Sequence, residues 1–256
     1  MPKLGTALRR VLYRALPLPT YLRVLSRAYF FGFDRGWLRD NPLYDYPYFL
    51  QHVLRAGDVC IDVGANLGYL TVLMSRHVGP GGRVYAVEPV APVREVLERN
   101  TRGRANVEVV PYALGTEDKW IEIGNATVSD RGFMASGSNF VLEDSRAADV
   151  TFAAEMRRGS ALFAQLKRLD FVKIDIEGYE GVVVPELAPV IDAHRPMLLI
   201  EARGQTRAQL IEFFGERGYA AYTLEDGKLA VTTAAGKRDV LFVPPGYAAR
   251  VGAHLA

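Results

Sequence analysis

Two glycines and a set of acids recur in this chain at spacings that suit a small charged ligand. Cys60-Ile61-Asp62-Val63-Gly64-Ala65-Asn66-Leu67-Gly68-Tyr69 runs from a β-branched stretch into a glycine-bearing turn. Twenty residues beyond Gly68, a second apolar stretch, Val84-Tyr85-Ala86-Val87, ends on Glu88-Pro89. Glycines let backbone amides approach a ligand, and a carboxylate at a strand end can accept both protons of a ribose diol. Farther on, Lys173-Ile174-Asp175-Ile176-Glu177-Gly178-Tyr179-Glu180 sets three acids at the end of another apolar run. In an extended segment Asp175 and Glu177 point the same way, where they could take up a proton. Helix capping is the competing use of these acids; it stands level for Asp175 and is preferred for Glu180. Lys173 lies deeper and reads as a structural ion-pair partner.

The spacing also selects the ligand. A dinucleotide site wants G-x-G-x-x-G, and a P-loop wants G-x-x-x-x-G-K-[ST]; neither occurs. Asp62 would repel a pyrophosphate, yet it can orient a cationic amino-acid group through water or the loop amides. This disfavours NAD and favours S-adenosylmethionine. If the methyl acceptor is a hydroxyl, as the family resemblance named below implies, a proton is left to remove. A hydroxyl pKa near ~15.7 and a carboxylate near ~4 mean that an acid can accept that proton only as the new bond forms. Asp175 is therefore assigned beside the methyl donor and the acceptor, and Glu177 as proton acceptor or substrate hydrogen-bond partner. His52 is a weaker candidate at the rim, His77 and His194 suit helix C-termini, and His254 lies in the tail. No metal is expected: histidine pairs are missing, and Asp175 with Glu201 is a disfavoured magnesium pair. Cys60 reads as a core residue.

These residues need a scaffold that brings strand ends together. From Asp58 onward β-branched runs alternate with helical patterns: Val59 to Val63, Val84 to Val87, Val107 to Val110, Phe171 to Ile176, Met197 to Ile200, Ala220 to Leu224 and Val240 to Val243. Helices are expected at Tyr69 to His77, Pro92 to Thr101, Val182 to Ala193 and Thr206 to Arg217. The pattern predicts an α/β domain with a mostly parallel seven-stranded sheet, helices on both faces, and the last two strands antiparallel. Between Gly115 and Lys167 the rhythm breaks. Lys119 to Ile123 reads as an extra strand, Arg131 to Asn139 as a loop, and Phe152 to Arg168 as helical. Phe133, Ser136, Ser138 and Asn139 in that loop suit a sugar acceptor or an ordinary exposed surface.

Length and composition fit one large soluble domain: 256 residues, 49% hydrophobic and 23% charged, exclude disordered and low-complexity classes. No apolar run approaches the ~18 residues of a transmembrane helix. One cysteine excludes an internal disulfide and suits a cytoplasmic compartment, and Met1 to Arg10 lack a secretory pattern. Residues 1–40 carry eight basic side chains against two acids, a balance of +6, so the remainder carries −4. Leu4, Ala7, Leu8, Val11, Leu12, Ala15 and Leu16 recur at helical spacing, and a second helical piece runs from Tyr21 to Phe31. Residues 1–45 are read as a basic helical extension and residues 46–256 as the catalytic domain. The extension packs on the core in the preferred reading and touches an anionic membrane in the other.

The same residues resemble the FkbM family of S-adenosylmethionine-dependent methyltransferases. The likeness rests on Asp62-Val63-Gly64-Ala65-Asn66-x-Gly68-Tyr69, on Gly82-Arg83-Val84-Tyr85-Ala86-Val87-Glu88-Pro89 and on Lys173 to Glu180. Tyr112-Ala113-Leu114-Gly115 and Pro196-Met197-Leu198-Leu199-Ile200-Glu201 also match, and the whole covers about residues 50–225. The resemblance implies a class I methyltransferase (Rossmann-like) fold and O-methylation of a hydroxyl on a sugar, glycolipid or small natural product. It places Asp62, Gly64, Ala65, Asn66, Gly68, Tyr69, Glu88, Pro89, Ala113 and Asp175 at the cofactor, and Asp175 and Glu177 at the chemistry. Gly132 to Arg168 and the N-terminal 45 residues depart from the family core, and both could shape acceptor choice. The alternatives are an RNA methyltransferase, disfavoured because the core lacks a basic stripe or stacking motif, and a non-catalytic adenosine-ligand scaffold.

Overall fold

The computed structural model describes residues 3–142, 147–236 and 239–256, with side chains from residue 5 onward. The chain opens with helices α1 (Lys3–Ala15), α2 (Leu18–Asp34) and α3 (Asp45–Val53). Strand β1 (Val59–Val63), α4 (Tyr69–Val78), β2 (Arg83–Val87), α5 (Ala91–Asn100) and β3 (Val107–Val110) follow. Next come β4 (Ala113–Gly115), β5 (Lys119–Asn125), α6 (Thr127–Arg131), β6 (Asn139–Val141), β7 (Val150–Arg158) and α7 (Gly159–Leu162). The second half holds β8 (Phe171–Ile174), α8 (Glu180–Glu186), α9 (Ala188–His194), β9 (Met197–Ile200) and α10 (Gly204–Glu216). It ends with β10 (Ala220–Glu225), β11 (Lys228–Val231), β12 (Val240–Val243) and α11 (Ala248–Val251).

The main sheet has eight strands in the order β11-β10-β12-β9-β8-β1-β2-β3. Its centre is parallel, and β12 runs antiparallel to both β9 and β10. The seven expected strands are present. The eighth, β11, arises because the polar stretch after Gly227 folds back as a hairpin on β10, pairing Leu224 with Leu229. Alternation along the strands divides the core: Ile61, Val63, Val172 and Ile174 pack against α8 to α10, whereas Cys60, Val84 and Phe171 pack with α3 and α4. Cys60 is fully buried, as a core residue should be, and burial pushes its thiol well up.

Two expectations fail in physically legible ways. The segment read as helical from Phe152 to Arg168 is mostly β7, followed by the short α7. Its Ala, Glu and Met content favours helix, but Ala154 and Met156 are buried on one side while Thr151 and Ala153 are exposed, and β5 pairs with it across seven registers. A second sheet, β4-β7-β5-β6, results. The expected Val182 to Ala193 helix is broken at Leu187 into α8 and α9, with prolines at 185 and 189.

The N-terminal helices pack on the body. Tyr21 and Leu22 of α2 are fully buried in a cluster with Leu67, Val93 and Val96, and Asp34 pairs with Arg76 at 2.7 Å. Among the described residues no helix is long and apolar enough to cross a membrane.

Candidate functional site

Three strands, β1, β2 and β8, release the chain at the same sheet edge, and their exits interlock. Gly64 takes φ +75°, and its amide and that of Ala65 donate to the Val87 carbonyl at 3.1 and 2.9 Å. A Cβ on Gly64 would lie 2.0 Å from the Asp175 carbonyl oxygen, so only glycine lets β1 leave beside β8. Glu88, at the end of β2, is buried; its two oxygens accept from the Asn66 and Val90 amides, each at 2.9 Å. Burial pushes this carboxyl up to about 7, against the pull of those two amides and of Lys173.

Beneath the loop lies a buried ionic pivot. The Lys173 ammonium donates to the Gly64 carbonyl at 2.9 Å and stands 3.5 Å from Asp175 Oδ2 and 3.6 Å from Asp62 Oδ1. Burial disfavours its charge, but Asp175 and Asp62 outweigh that and raise its pKa. Asp62 is fully buried and accepts from the Thr71 hydroxyl at 2.6 Å. Its other oxygen, and Oδ1 of Asn66, are buried without a hydrogen-bond partner.

A cavity of about 250 Å³ opens above this pivot. Of the residues predicted at the site, Asp62, Gly64, Ala65, Asn66, Tyr69, Glu88, Pro89, Ala113, Asp175 and Glu177 all line it. Gly68 is not among the lining residues: it takes φ +86° as the cap of α4, and a Cβ there would meet the Leu97 side chain at 2.8 Å. Ser136 and Asn139 line the cavity, but Phe133 is 4% exposed within the core and offers no face to a ligand. His52 lines neither cavity and lies with its ring centroid 4.4 Å from that of His254.

Glu177 is not where strand alternation would put it. The strand ends at Ile174, and Glu177 is an exposed residue at φ +55°, so it and Asp175 do not share an extended face. Glu180 is the buried acid of the trio: its carboxylate accepts from the amides of Ile176 at 3.0 Å and Gly178 at 3.1 Å, pinning the turn before α8. Glu180 stands in the first turn of α8, where the helix dipole favours an acid as expected, but the amides it accepts from precede the helix, whose N-terminus no side chain caps.

A second cavity of about 380 Å³ shares Leu43, Pro47, Leu70, Lys173 and Asp175 with the first. Its remaining polar wall is Asp45, Glu201, Arg203 and Asp239. Asp175 thus stands between two spaces. Burial, the hydrogen bond shared with Asp175 and the charge of that residue push Glu201 up to about 8. Burial would raise Asp175 as well, but Lys173 and the hydrogen bond from Glu201 outweigh it and keep Asp175 ionised. Burial lifts Asp239 to about 6, and Glu201 also pairs with Arg203. The sequence reading met Glu201 only as the last residue of the Pro196 to Glu201 match and as a disfavoured magnesium partner of Asp175; its hydrogen bond to Asp175 was not anticipated. The walls contributed by Tyr29 and Tyr44 of the N-terminal extension left no signal beyond their aromaticity. Among the described residues no group of three or more His, Cys, Asp or Glu could hold a metal ion.

The donor set fits an adenosyl sulfonium amino acid. The buried Oδ1 atoms of Asp62 and Asn66 accept no hydrogen bond and have room for N–H donors, Glu88 retains lone pairs for a diol, and the acidic lining would repel a pyrophosphate. Residues 62–220, more than half of the chain, match the Methyltransferase FkbM domain family. The AMB antimetabolite synthetase AmbE of Pseudomonas aeruginosa is 26% identical over 236 residues, 77% of this chain and 11% of that protein. A protein-L-isoaspartate O-methyltransferase of Aeropyrum pernix is 46% identical over 63 residues, 25% of this chain and 24% of that one. The chain therefore spans a quarter or less of these two relatives. The crystal structure of methyltransferase FkbM from Methylobacillus flagellatus superposes with a TM-score of 0.47 at 15% identity, covering 91% of this chain and 57% of that one.

Proposed function

Because the chain belongs to the FkbM methyltransferase family, with a class I sheet and S-adenosylmethionine as methyl donor, we propose that it methylates a hydroxyl oxygen of a sugar, glycolipid or small natural product. The observation that carries this reading is the position of Asp175, an ionised carboxylate on the wall common to two cavities. The first cavity takes the cofactor, held by Asp62, Asn66 and Glu88. The second takes the acceptor, whose hydroxyls meet Glu201, Asp239 and Arg203. When bound, the cofactor supplies an electrophilic methyl carbon next to a positive sulfur. Asp175 accepts the hydroxyl proton as the C–O bond forms, since a carboxylate is far too weak to ionise the alcohol beforehand. Glu201 holds Asp175 in place with its hydrogen bond, and Lys173 keeps Asp175 charged. Glu177, exposed at the rim, serves as a substrate hydrogen-bond partner.

Residues 1–45 belong to this reading as an accessory extension of the domain at 46–256, since Tyr29, Leu43 and Tyr44 complete the cavity walls. A cytoplasmic location goes with it, in keeping with the single buried cysteine. The test is incubation with methyl-labelled cofactor and a library of sugars, glycolipids and small natural products, followed by mass spectrometry. An O-methylated member of that library is expected. Label appearing only in RNA or in isoaspartyl peptides, or cofactor binding without turnover on any acceptor, would overturn the reading.

A further inference from the structure

We propose that the exposed face of the N-terminal extension docks on the surface of an anionic lipid bilayer. In α2 the side chains of Val24, Arg27, Ala28, Phe31 and, just past its end, Arg35 lie along one stripe of the helix. The opposite face, with Tyr21, Leu22 and Tyr29, is buried in the protein. The stripe is solvent-facing and apolar where it should be polar: Phe31 is 50% exposed and Trp37 69%, their rings 5.4 Å apart. The Arg35 guanidinium sits 3.5 Å above the Phe31 ring. An aromatic pair with a stacked arginine is the side-chain set that settles at the headgroup level, rings toward the acyl chains and cation toward phosphate.

Charge decides which occupant covers this face. Residues 1–40 carry +6 and the rest of the chain −4, so the protein is polarised with its positive end on the extension. Asp34, one of two acids there, is already paired with Arg76. A second copy would set like charge against like charge across the contact, whereas an anionic surface neutralises it. Leu43, 79% exposed and lining both cavities, follows Trp37 by six residues, so docking on this segment would bring the cavity mouths toward the bilayer.

The test uses the full chain carrying Trp120→Phe, which leaves Trp37 as the single tryptophan. It is sedimented with phosphatidylcholine vesicles prepared with and without phosphatidylglycerol, while its emission is recorded. Expected are binding to the anionic vesicles, a blue shift of Trp37, weakening as salt is raised, and a loss of about tenfold or more in partitioning for Phe31→Ser or for Arg27→Glu with Arg35→Glu. Both sites are exposed, and circular dichroism checks that each variant folds. No binding to anionic vesicles, equal binding to neutral ones, or variants that bind like the parent would overturn the proposal. So would concentration-dependent self-association abolished by the same substitutions.

Discussion

Replacing Lys173 with Met removes the cation beneath the cofactor loop while preserving the length of its stem. In the native protein that ammonium is 8% exposed and faces Asp62, which is fully buried, and Asp175, which is 39% exposed. Stripping one partner from a buried ion pair costs about 3–5 kcal/mol, because the remaining charge stays out of water. Asp175 can recover solvation, so its share is small. Asp62 cannot, and the expected loss lies at the lower end, about 3 kcal/mol. For a chain of this size that lowers Tm by about 6–12 °C, read by circular dichroism or calorimetry. The pH dependence carries a sign. Lys173 has a raised pKa, so its contribution is complete below the ordinary lysine range and is lost only as pH rises through the raised value. Asp175 is held down, so its contribution is present above the ordinary carboxylate range and fades as pH falls through the lowered value. The wild-type pair is thus constant between roughly pH 5 and 9. In the variant, burial acts on Asp175 without its main opponent, so it takes up a proton on mild acidification and the small share of the deficit that it carries shrinks from pH 8 toward 5. A Tm change below about 2 °C, or a deficit that grows on acidification, refutes the view that this lysine neutralises the trapped Asp62 and its partly exposed neighbour Asp175.

Three further outcomes follow from the same geometry. Glu88 is lifted by burial to about 7 and binds a diol best when ionised, so cofactor affinity by calorimetric titration should rise from pH 6 to 8. Glu88→Gln should flatten that slope and weaken binding by about 1.5–3 kcal/mol; an unchanged slope would remove Glu88 from the ribose role. Asp175→Asn should lower turnover by about a hundredfold or more with cofactor affinity within a few-fold, whereas exposed Glu177→Gln should cost less than about tenfold; equal losses would argue against Asp175 as the proton acceptor. Gly64→Ala forces a Cβ to 2.0 Å from a backbone oxygen at φ +75° and should yield insoluble protein. Gly68→Ala, which meets only the movable end of Leu97, should fold with a loss of about 1–3 kcal/mol by urea titration; similar behaviour of the two would contradict the account of the β1 exit.

What could be read from the chain alone was whatever is local and periodic. Runs such as Val84 to Val87 and Met197 to Ile200 are apolar on both faces, as suits a strand covered on both sides, so the sheet and the edge at which its acids emerge were legible. Glu88 and Asp62 could be placed because they stand at the ends of such strands, and Glu180 because an acid in the first turn of a helix suits the positive end of its dipole, although the Ile176 and Gly178 amides that it binds were not legible. Where two interactions compete, local pattern was not enough. Ala153-Ala154-Glu155-Met156 prefers a helix until β5 offers seven registers of pairing. Glu177 looked extended until the turn into α8 gave it a positive φ. The coupling of Asp175 to Glu201, and the walls lent by Tyr29 and Tyr44, join side chains far apart in sequence. Burial and long-range approach set those contacts and the proton affinities that go with them, and both exist only once the chain has folded.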